Sequence, residues 1–572
     1  MGKPIKGRLF ALAVVLVLVL LPGAGPLASG QAQAPPGARV IYVPDDYPAI
    51  QGAVDASTPG DTIIVRDGNY TANIVVTTDH LTIKSQNGAG STIVTAADPG
   101  VSVFDVVRGT DYVSIAGFTV SGATAEYQAG IHLYQNSYCD LRDNIALNNY
   151  EGIFLENSYN NTLTNNTATG NFLDGILVRD SGNNTLTNNT VWNNTNFGIR
   201  LYFSAPNTLR SNSMAGNRLN FYSWSWESLS ELCQDVDTSN MVDGKPVYLL
   251  LDKSDLVIDS STSAGYVAVI NSTNITVKDL NLTHSGFGVL FAFTNSSRIE
   301  NVTGSYCKHS FLLYESHNNT LVNDIAANNI FDGFRIWNSR NNILLNSTSD
   351  RNRLGACLDS SDNNTLINNT FSNSSQWGIL LKYSSNNTIC LNDVVNNTGG
   401  LVLSDSSTDF WNSTSHTNDP VNGTLGNVLS WLSTAIWDST RKLTYSYNGS
   451  NCTGYLGNYW GDYRANQPGA AEVGSRGVGD TPYDIQTKDD AVPQADNYPL
   501  VAPVSHYQVT GVAPSCPLAN GRYWWALVVA GVIIALYVIA SSLAAARGRL
   551  RRGNPVKNQR LKVKNQNDRE KS

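Results

Sequence analysis

Helical patterning is missing from the middle of this chain. Between Gly130 and Gly400 no stretch sets apolar residues at intervals of three and four, which excludes leucine-rich and tetratricopeptide-type solenoids. Cysteine is sparse: there are seven in 572 residues (Cys139, Cys233, Cys307, Cys357, Cys390, Cys452, Cys516), and none forms a Cys-x-x-Cys pair. That excludes a disulfide framework. One or two bridges in the irregular parts stay open, and an odd count leaves a thiol over unless chains pair. Basic surplus is also lacking. The formal charge is −8, and setting aside a tail of roughly +8 and an N-terminal segment of about +3 leaves about −19 for the rest, which argues against nucleic acid as a partner. Long apolar runs occur only near the two ends.

What is present is a repeat. A glycine followed by an alternating apolar triplet occurs at Gly130, Gly152, Gly175, Gly198, Gly288, Gly333, Gly355, Gly378 and Gly400, with a step of about 22 or 23 residues inside each run. A second phrase, mostly NNTL or NNTI, keeps the same beat through Asn161, Asn184 and Asn207, then Asn319, Asn342, Asn364 and Asn387. Each period holds two or three short stretches of period-two alternation separated by Asn, Ser, Asp and Gly, the pattern of short half-buried strands broken by turns. The expected unit is one coil of a parallel β-helix. Asparagine suits its corners because it tolerates left-handed backbone and its amide bonds to neighbouring backbone, so stacked asparagines form ladders.

The gap between Gly198 and Gly288 fills in the same register through Asn220, Gly244 and Gly265, with a lateral loop near 223–243 and Ser310 in place of glycine before FLL. The solenoid is therefore expected to run on without interruption. Segments from Thr62, Leu81, Val101 and Val113 read as less regular opening coils. Ahead of them, Ala49 to Ala56 reads as a short helix plugging the open end.

The chain ends carry addresses. Lys3, Lys6 and Arg8 precede the apolar run Leu9 to Leu21, a secretory signal over 1–34. Tyr523 to Ala546 is long enough to cross a bilayer, with Trp524 and Trp525 at an interfacial position. The tail 547–572 holds ten Lys and Arg, which places it in the cytoplasm and the rest outside. The expected layout is signal (1–34), cap and irregular coils (35–125), regular coils (126–410), C-terminal cap (411–505), linker (506–522), transmembrane helix (523–546) and basic tail (547–572). Some 22 Asn-x-Ser/Thr sequons lie in the exported part, among them Asn69, Asn160, Asn183, Asn274 and Asn422. They are expected both as good corner residues and as glycosylation sites.

Three stretches resemble the NosD-type, or CASH-domain, group of right-handed parallel β-helix proteins in the pectin-lyase-like superfamily, as found in archaeal surface proteins. They are IYVPDDYPAIQGAVDASTPGDTIIVRDGNYTANIVV, the segment from GKPVYLLLDKSD to GVLFAFTNSS, and the closing YNGSNCTGYLGNYWGDY, GVGDTPYDIQ and DNYPL. The resemblance spans Val40 to Leu500 and implies the fold: all-β, a right-handed parallel β-helix solenoid of about 22–23 residues per coil, here with one C-terminal transmembrane helix. It implies several functions, since the superfamily holds lyases, hydrolases, epimerases, adhesins and a copper-pathway protein. Copper is not expected. It calls for clustered His, Cys or Met, whereas the three Met are scattered and His80, His132, His284, His309, His317, His416 and His506 share no column; Cys307, His309 and His317 are the nearest grouping. Relatives often carry an Asp-Gly-rich calcium loop in the cap. Here the place reads GSRGVGD, with Arg476 where a ligand belongs, so calcium is left as an option at Asp480 and Asp484 and no cofactor is otherwise expected.

In each glycine-led strand the first and third residues should point inward and the second and fourth outward. The fourth position reads Tyr134, Glu156, Arg179, Tyr202, then Ala292, Tyr314, Trp337, Asp359 and Lys382. Aromatic faces stack on sugar CH groups while charged groups bond hydroxyls, so this stripe is a candidate carbohydrate-binding face centred on Trp337. Catalysis would draw on paired carboxylates, Glu156 with Asp180 or Asp332 with Asp359. The expected protein is a membrane-anchored, glycosylated surface β-helix, a structural or adhesive stalk without catalysis, whose outer stripe is a candidate contact for glycans or other surface proteins. A polysaccharide lyase, hydrolase or epimerase is the alternative, and a copper-pathway accessory protein the second.

Overall fold

The structure is a computed structural model that describes residues 37–398, 428–431, 435–436, 438–439, 442–488 and 494–509. It is all-β, a parallel β-helix of about 15 turns with few helices. The signal segment, the Gly400 coil, Asn422, the 523–546 span and the basic tail lie outside the described residues. Among those described, no helix is long and apolar enough to cross a membrane. The chain divides into two compact units, Met1–Glu315 with Asn328–Ile330, and Ser316–Ala327 with Phe331–Ser572.

In the first unit a regular coil consists of two three-residue strands and one longer strand. Thr162–Thr164 and Thr167–Thr169 lead to Ile176–Arg179, and the next coil repeats this with Thr185–Thr187, Thr190–Trp192 and Phe197–Tyr202. Each strand pairs in parallel with its counterpart one coil on, as in Leu163 with Leu186, Ala168 with Val191 and Ile153 with Ile176. Like residues therefore stack in columns. Leu141, Leu163, Leu186 and Leu209 form one buried column, Ala146, Ala168, Val191 and Met214 another, and Ile131/Leu133 through Ile199/Leu201 the third. The opening coils follow the same plan with uneven steps: Thr62 pairs with Thr82, and Thr82 with Ser114.

The two asparagines of each pair do different jobs. The first takes the left-handed backbone, with φ of 60° at Asn160 and 56° at Asn183. The second turns inward and is buried: the Cys139 N–H donates to Asn161 Oδ1 (2.8 Å), the Asn161 N–H to Asn184 Oδ1 (2.8 Å) and the Asn184 N–H to Asn207 Oδ1 (3.0 Å). Two further ladders, through Asn144, Asn166, Asn189 and Asn212 and through Asn149, Asn171, Asn194 and Asn217, serve the other corners. They satisfy backbone donors that a tight corner would otherwise bury unpaired. The leading glycine is needed for close approach: a Cβ on Gly175 would meet Val191 Cγ1 at 2.3 Å and Asn194 Nδ2 at 2.6 Å.

The expected helix is present at Ile50–Asp55, burying Ile50, Ala53 and Val54. Its Gln51 side chain caps the edge strand Ile74–Val76: the Val75 N–H donates to Gln51 Oε1 (2.8 Å), and Gln51 Nε2 donates to the Val75 carbonyl (3.1 Å).

Two expectations are corrected here. The long-strand ladder is interrupted: one sheet ends at Leu219–Trp224, and a new one starts at Lys245–Leu251 after an antiparallel pairing with Met241–Val242. The Gly286 N–H donates instead to the Phe221 carbonyl (2.8 Å). The Gly265 phrase is also one residue out of phase, since Val267, not Tyr266, pairs with Val289. A slip of one residue turns a side chain to the other face, and Tyr266 packs edge-on against Phe221 at 5.1 Å. Sequence pattern alone could not see the slip because Tyr266 to Ile270 is buried on both faces. The six described cysteines are all free, so the bridges allowed from sequence are not formed among them.

The second unit repeats the coil plan with Asp332–Trp337, Leu354–Asp359 and Ile379–Lys382, and its ladder runs Asn319, Asn342, Asn364, Asn387. At its end Tyr459–Trp460 pairs with Asp393–Val394, and buried Trp460 stacks on Tyr483 at 4.5 Å.

Candidate functional site

In the first unit the outward residues of the long strands stand in two adjacent columns. The fourth-position column is in register as expected: Tyr134 pairs with Glu156, Glu156 with Arg179, and Arg179 with Tyr202. All four are half-buried. The second-position column reads Asp105, His132, Phe154, Leu177, Arg200 and Tyr222. It was not singled out from sequence, although the same alternation that exposes the fourth position exposes the second, and GIHL and GIRL carry the signal.

These columns are knitted by charge. His132 Nδ1 lies 3.0 Å from Asp105 Oδ1, and its Nε2 lies 3.8 Å from Glu156 Oε2. Glu156 Oε1 accepts from Arg179 Nη2 at 2.5 Å, and Arg179 Nε is 3.9 Å from Asp180. Burial works against a charged His132, yet Asp105 and then Glu156 outweigh it and raise the imidazole above its usual value. His132 in turn, with Arg179, holds the Glu156 carboxyl down at about 2 against the cost of burial. Phe154 is sandwiched between His132 (5.0 Å) and the Arg179 guanidinium (4.9 Å).

Beneath the stripe sits a buried cluster. Glu151 and Asp174 occupy the position before the glycine; the Asp174 N–H donates to Glu151 Oε2 at 2.9 Å, and Arg200 Nη1 lies 3.4 Å from Asp174 Oδ2. Burial raises both carboxyls, and Asp174 adds to the rise at Glu151. Lys308 Nζ bonds Tyr222 Oη at 3.3 Å, and burial with Arg200 nearby lowers its amine well below the usual range. Tyr314 is buried rather than open to solvent, its hydroxyl donating to the Trp226 carbonyl at 3.0 Å.

In the second unit Trp337 pairs with Asp359 and Asp359 with Lys382, as expected. The proposed carboxylate pair is bridged: Arg335 Nη1 lies 3.2 Å from Asp332 Oδ2 and Nη2 lies 3.3 Å from Asp359 Oδ2, with the guanidinium over the Trp337 ring at 5.0 Å. Arg335, two residues after its glycine, was again missed by reading only the fourth position. In the cap, Asp480 Oδ1 accepts from the Ala471 N–H (2.9 Å) and the Thr481 hydroxyl (3.0 Å), a turn-holding role, and Asp484 is exposed. Among the expected glycosylation sites Asn69, Asn183 and Asn274 are exposed and Asn160 is half-buried.

The family described as "Periplasmic copper-binding protein (NosD)" matches over residues 56–231 and 234–465. The chain belongs to the NosD family. This establishes the expected right-handed β-helix class. No curated protein matches the chain. Among solved structures it is similar to the A-module of the Azotobacter vinelandii mannuronan C-5 epimerase AlgE4 (17% identity, 64% of this chain and 96% of that one, TM-score 0.29). It is also similar to pectate lyase Pel9A (15%, 63% and 79%, TM-score 0.28) and to an N-terminal fragment of bacteriophage phi29 gene product 12 (14%, 62% and 69%, TM-score 0.32).

Among the described residues of this NosD-family chain, the side chains that copper would draw on are engaged elsewhere. Burial pushes the thiols of Cys139 and Cys307 up to about 12, and both sulfurs face backbone carbonyls. His132 Nδ1 is committed to Asp105, His317 Nδ1 accepts from the Arg340 N–H, and Met214 is in the core. Among the described residues no three His, Cys, Asp or Glu side chains group as a metal site.

Proposed function

We propose that this protein is a membrane-anchored, exported β-helix that binds carbohydrate on the outer face of its long strands and does not cleave it. One observation carries the reading: the carboxylates that catalysis would need are already tied to arginines, Glu156 to Arg179, and Asp332 and Asp359 to Arg335. A carboxylate held at about 2 is a poor general base at neutral pH. Half-buried Tyr134 and Tyr202 flank the pair, with amphipathic surface of the kind that stacks on sugar rings. The export signal, the 523–546 anchor and the glycans at Asn69, Asn160, Asn183, Asn274 and Asn422 belong to the same proposal, supported by the sequence and by the exposure of Asn69, Asn183 and Asn274.

The test is calorimetric titration of the full-length protein with a panel of neutral, acidic and amino oligosaccharides. Binding without product release is expected, weakened by Tyr202→Ala or Tyr134→Ala. No binding to any saccharide, or turnover of one, overturns it. The Asp105–His132 contact favours a second reading, an enzyme using His132 as acid or base, and product release abolished by His132→Ala would establish that one instead.

A further inference from the structure

The ladder break gives the site a wall that the repeat does not supply. Where the long-strand sheet ends at Trp224, the chain leaves as a lateral loop, and Trp226 folds back over the end of the stripe. The rings of Tyr202 and Phe203 are 4.1 Å apart, those of Phe203 and Trp226 meet edge-on at 4.3 Å, and Tyr202 and Trp226 stand 6.4 Å apart. The Tyr314 hydroxyl anchors the loop by donating to the Trp226 carbonyl, and all three rings remain half-buried. Phe203 holds a φ of 50°. That left-handed backbone is uncommon for a bulky residue. The adjacent coils place Asn157 and Asp180 at the equivalent corner, also with φ of 50°. The corner therefore presents an aromatic ring where the two preceding coils carry small polar residues.

Charge around this platform is negative in excess. Arg179 pairs with Glu156 and also lies 3.9 Å from Asp180, and Arg200, paired with Asp174, has its guanidinium over the Tyr202 ring at 4.4 Å, so two cations face five carboxylates counting the loop's. Asp180 is half-exposed and Glu227 exposed at the loop, with Glu231 beside them accepting from the Ser225 hydroxyl. Asp180 feels both loop carboxylates. Burial raises Asp180's carboxyl; Arg179 opposes this, and Glu156, Glu227 and Glu231 add to the rise. A polyuronate would be repelled here, whereas a protonated amine would be drawn to the carboxylates while its ring stacks on the aromatics.

Resting on the carbohydrate reading above, we infer that Tyr202, Phe203 and Trp226, with Asp180, Glu227 and Glu231, form a subsite for a cationic amino-sugar chain. The lateral loop then sets specificity and the regular stripe supplies length. The test is calorimetry on the full-length protein at pH 6 with a glucosamine hexamer, its N-acetylated counterpart and a galacturonate hexamer. The glucosamine hexamer is expected to bind about tenfold tighter than the N-acetylated one, a difference of about 1.4 kcal/mol, with the margin shrinking in salt. Trp226→Ala should weaken its binding about tenfold, and Glu227→Gln, an exposed change that leaves folding intact, by severalfold. Binding of saccharides with no preference for the amine, or with preference for galacturonate, overturns the inference and leaves the carbohydrate reading standing. Binding of none overturns both.

Discussion

Arg179 reaches back one coil to bind Glu156 with Nη2 2.5 Å from Oε1, so two residues 23 positions apart in sequence behave as one ion pair on the surface of the helix. The repeat makes this contact automatic, because parallel in-register strands put successive fourth-position residues side by side.

The pair makes stability depend on acid. Glu156 has a folded value of about 2 against an ordinary 4.5, a lowered carboxylate, so its contribution is present above 4.5 and is lost as pH falls toward 2. His132 is shifted upward, so its contribution is full below its ordinary 6.5 and is lost as pH rises through the folded value. Thermal unfolding followed by circular dichroism between pH 2.5 and 5 should show Tm falling with acid in the wild type and a flatter profile in Glu156→Gln. An NMR titration should place the His132 midpoint above 6.5, dropping in Asp105→Asn. Equal acid profiles, or a midpoint at or below 6.5, would count against the network.

The asparagine pairs predict an asymmetry between neighbours in sequence. Asn184 is buried and bonds two coils, so Asn184→Ala strands the Asn161 N–H donor and the Ser158 carbonyl acceptor and should cost about 1–3 kcal/mol. Asn183 is exposed at φ 56°, so Asn183→Gly should change stability little, while Asn183→Val should cost about 1–2 kcal/mol through strain. Urea denaturation of the three variants checks the order. Equal effects at the two positions would refute the division of labour.

Gly175→Ala should be severe for a different reason. The glycine's φ is ordinary, so strain is not the cause; the added methyl would meet Val191 Cγ1 at 2.3 Å and the ladder amide of Asn194 at 2.6 Å. Overpacking of this kind costs about 1–3 kcal/mol. The measurement is the same denaturation midpoint, and a neutral result would show that the coil spacing relaxes more easily than the columns suggest.

The fold was largely legible because one residue per coil recurs at each place in the cross-section. Gly152, Gly175 and Gly198 mark the ladder approach, Leu163 and Leu186 the core, and Asn161 and Asn184 the corner. The break after Trp224 was not legible. Its strands, such as Tyr266 to Ile270, are apolar on both faces, so alternation gives no phase. Of the site, the Tyr134, Glu156, Arg179, Tyr202 column could be read from register. What lay beyond a sequence reading was the pairing between columns. Whether Arg335 serves Asp332 or Asp359, or that Trp226 returns over Phe203, depends on side-chain reach and on a loop path that no periodicity encodes.

The cap carries its own pH dependence, of opposite sign to that of Glu156. Asp496 is fully buried beside Trp460; its Oδ2 accepts from the Asn458 N–H (2.6 Å) and from Trp460 Nε1 (2.9 Å), and Oδ1 accepts from the Tyr498 N–H (3.0 Å). Burial dominates these bonds and pushes its carboxyl up to about 7. A raised carboxyl contributes its full stability below the ordinary 3.8 and loses it as pH rises through about 7. Fluorescence of Trp460 during thermal unfolding should therefore report a cap transition that falls between pH 4 and 8. Asp496→Asn keeps the shape but cannot ionise, so its transition should stay flat across that range, lower than the wild type's at pH 4 because the amide nitrogen cannot accept a hydrogen bond where the acid's hydroxyl oxygen still can. A wild-type cap transition that does not move with pH would mean Asp496 stays charged when buried, and that the three donors around it outweigh its desolvation.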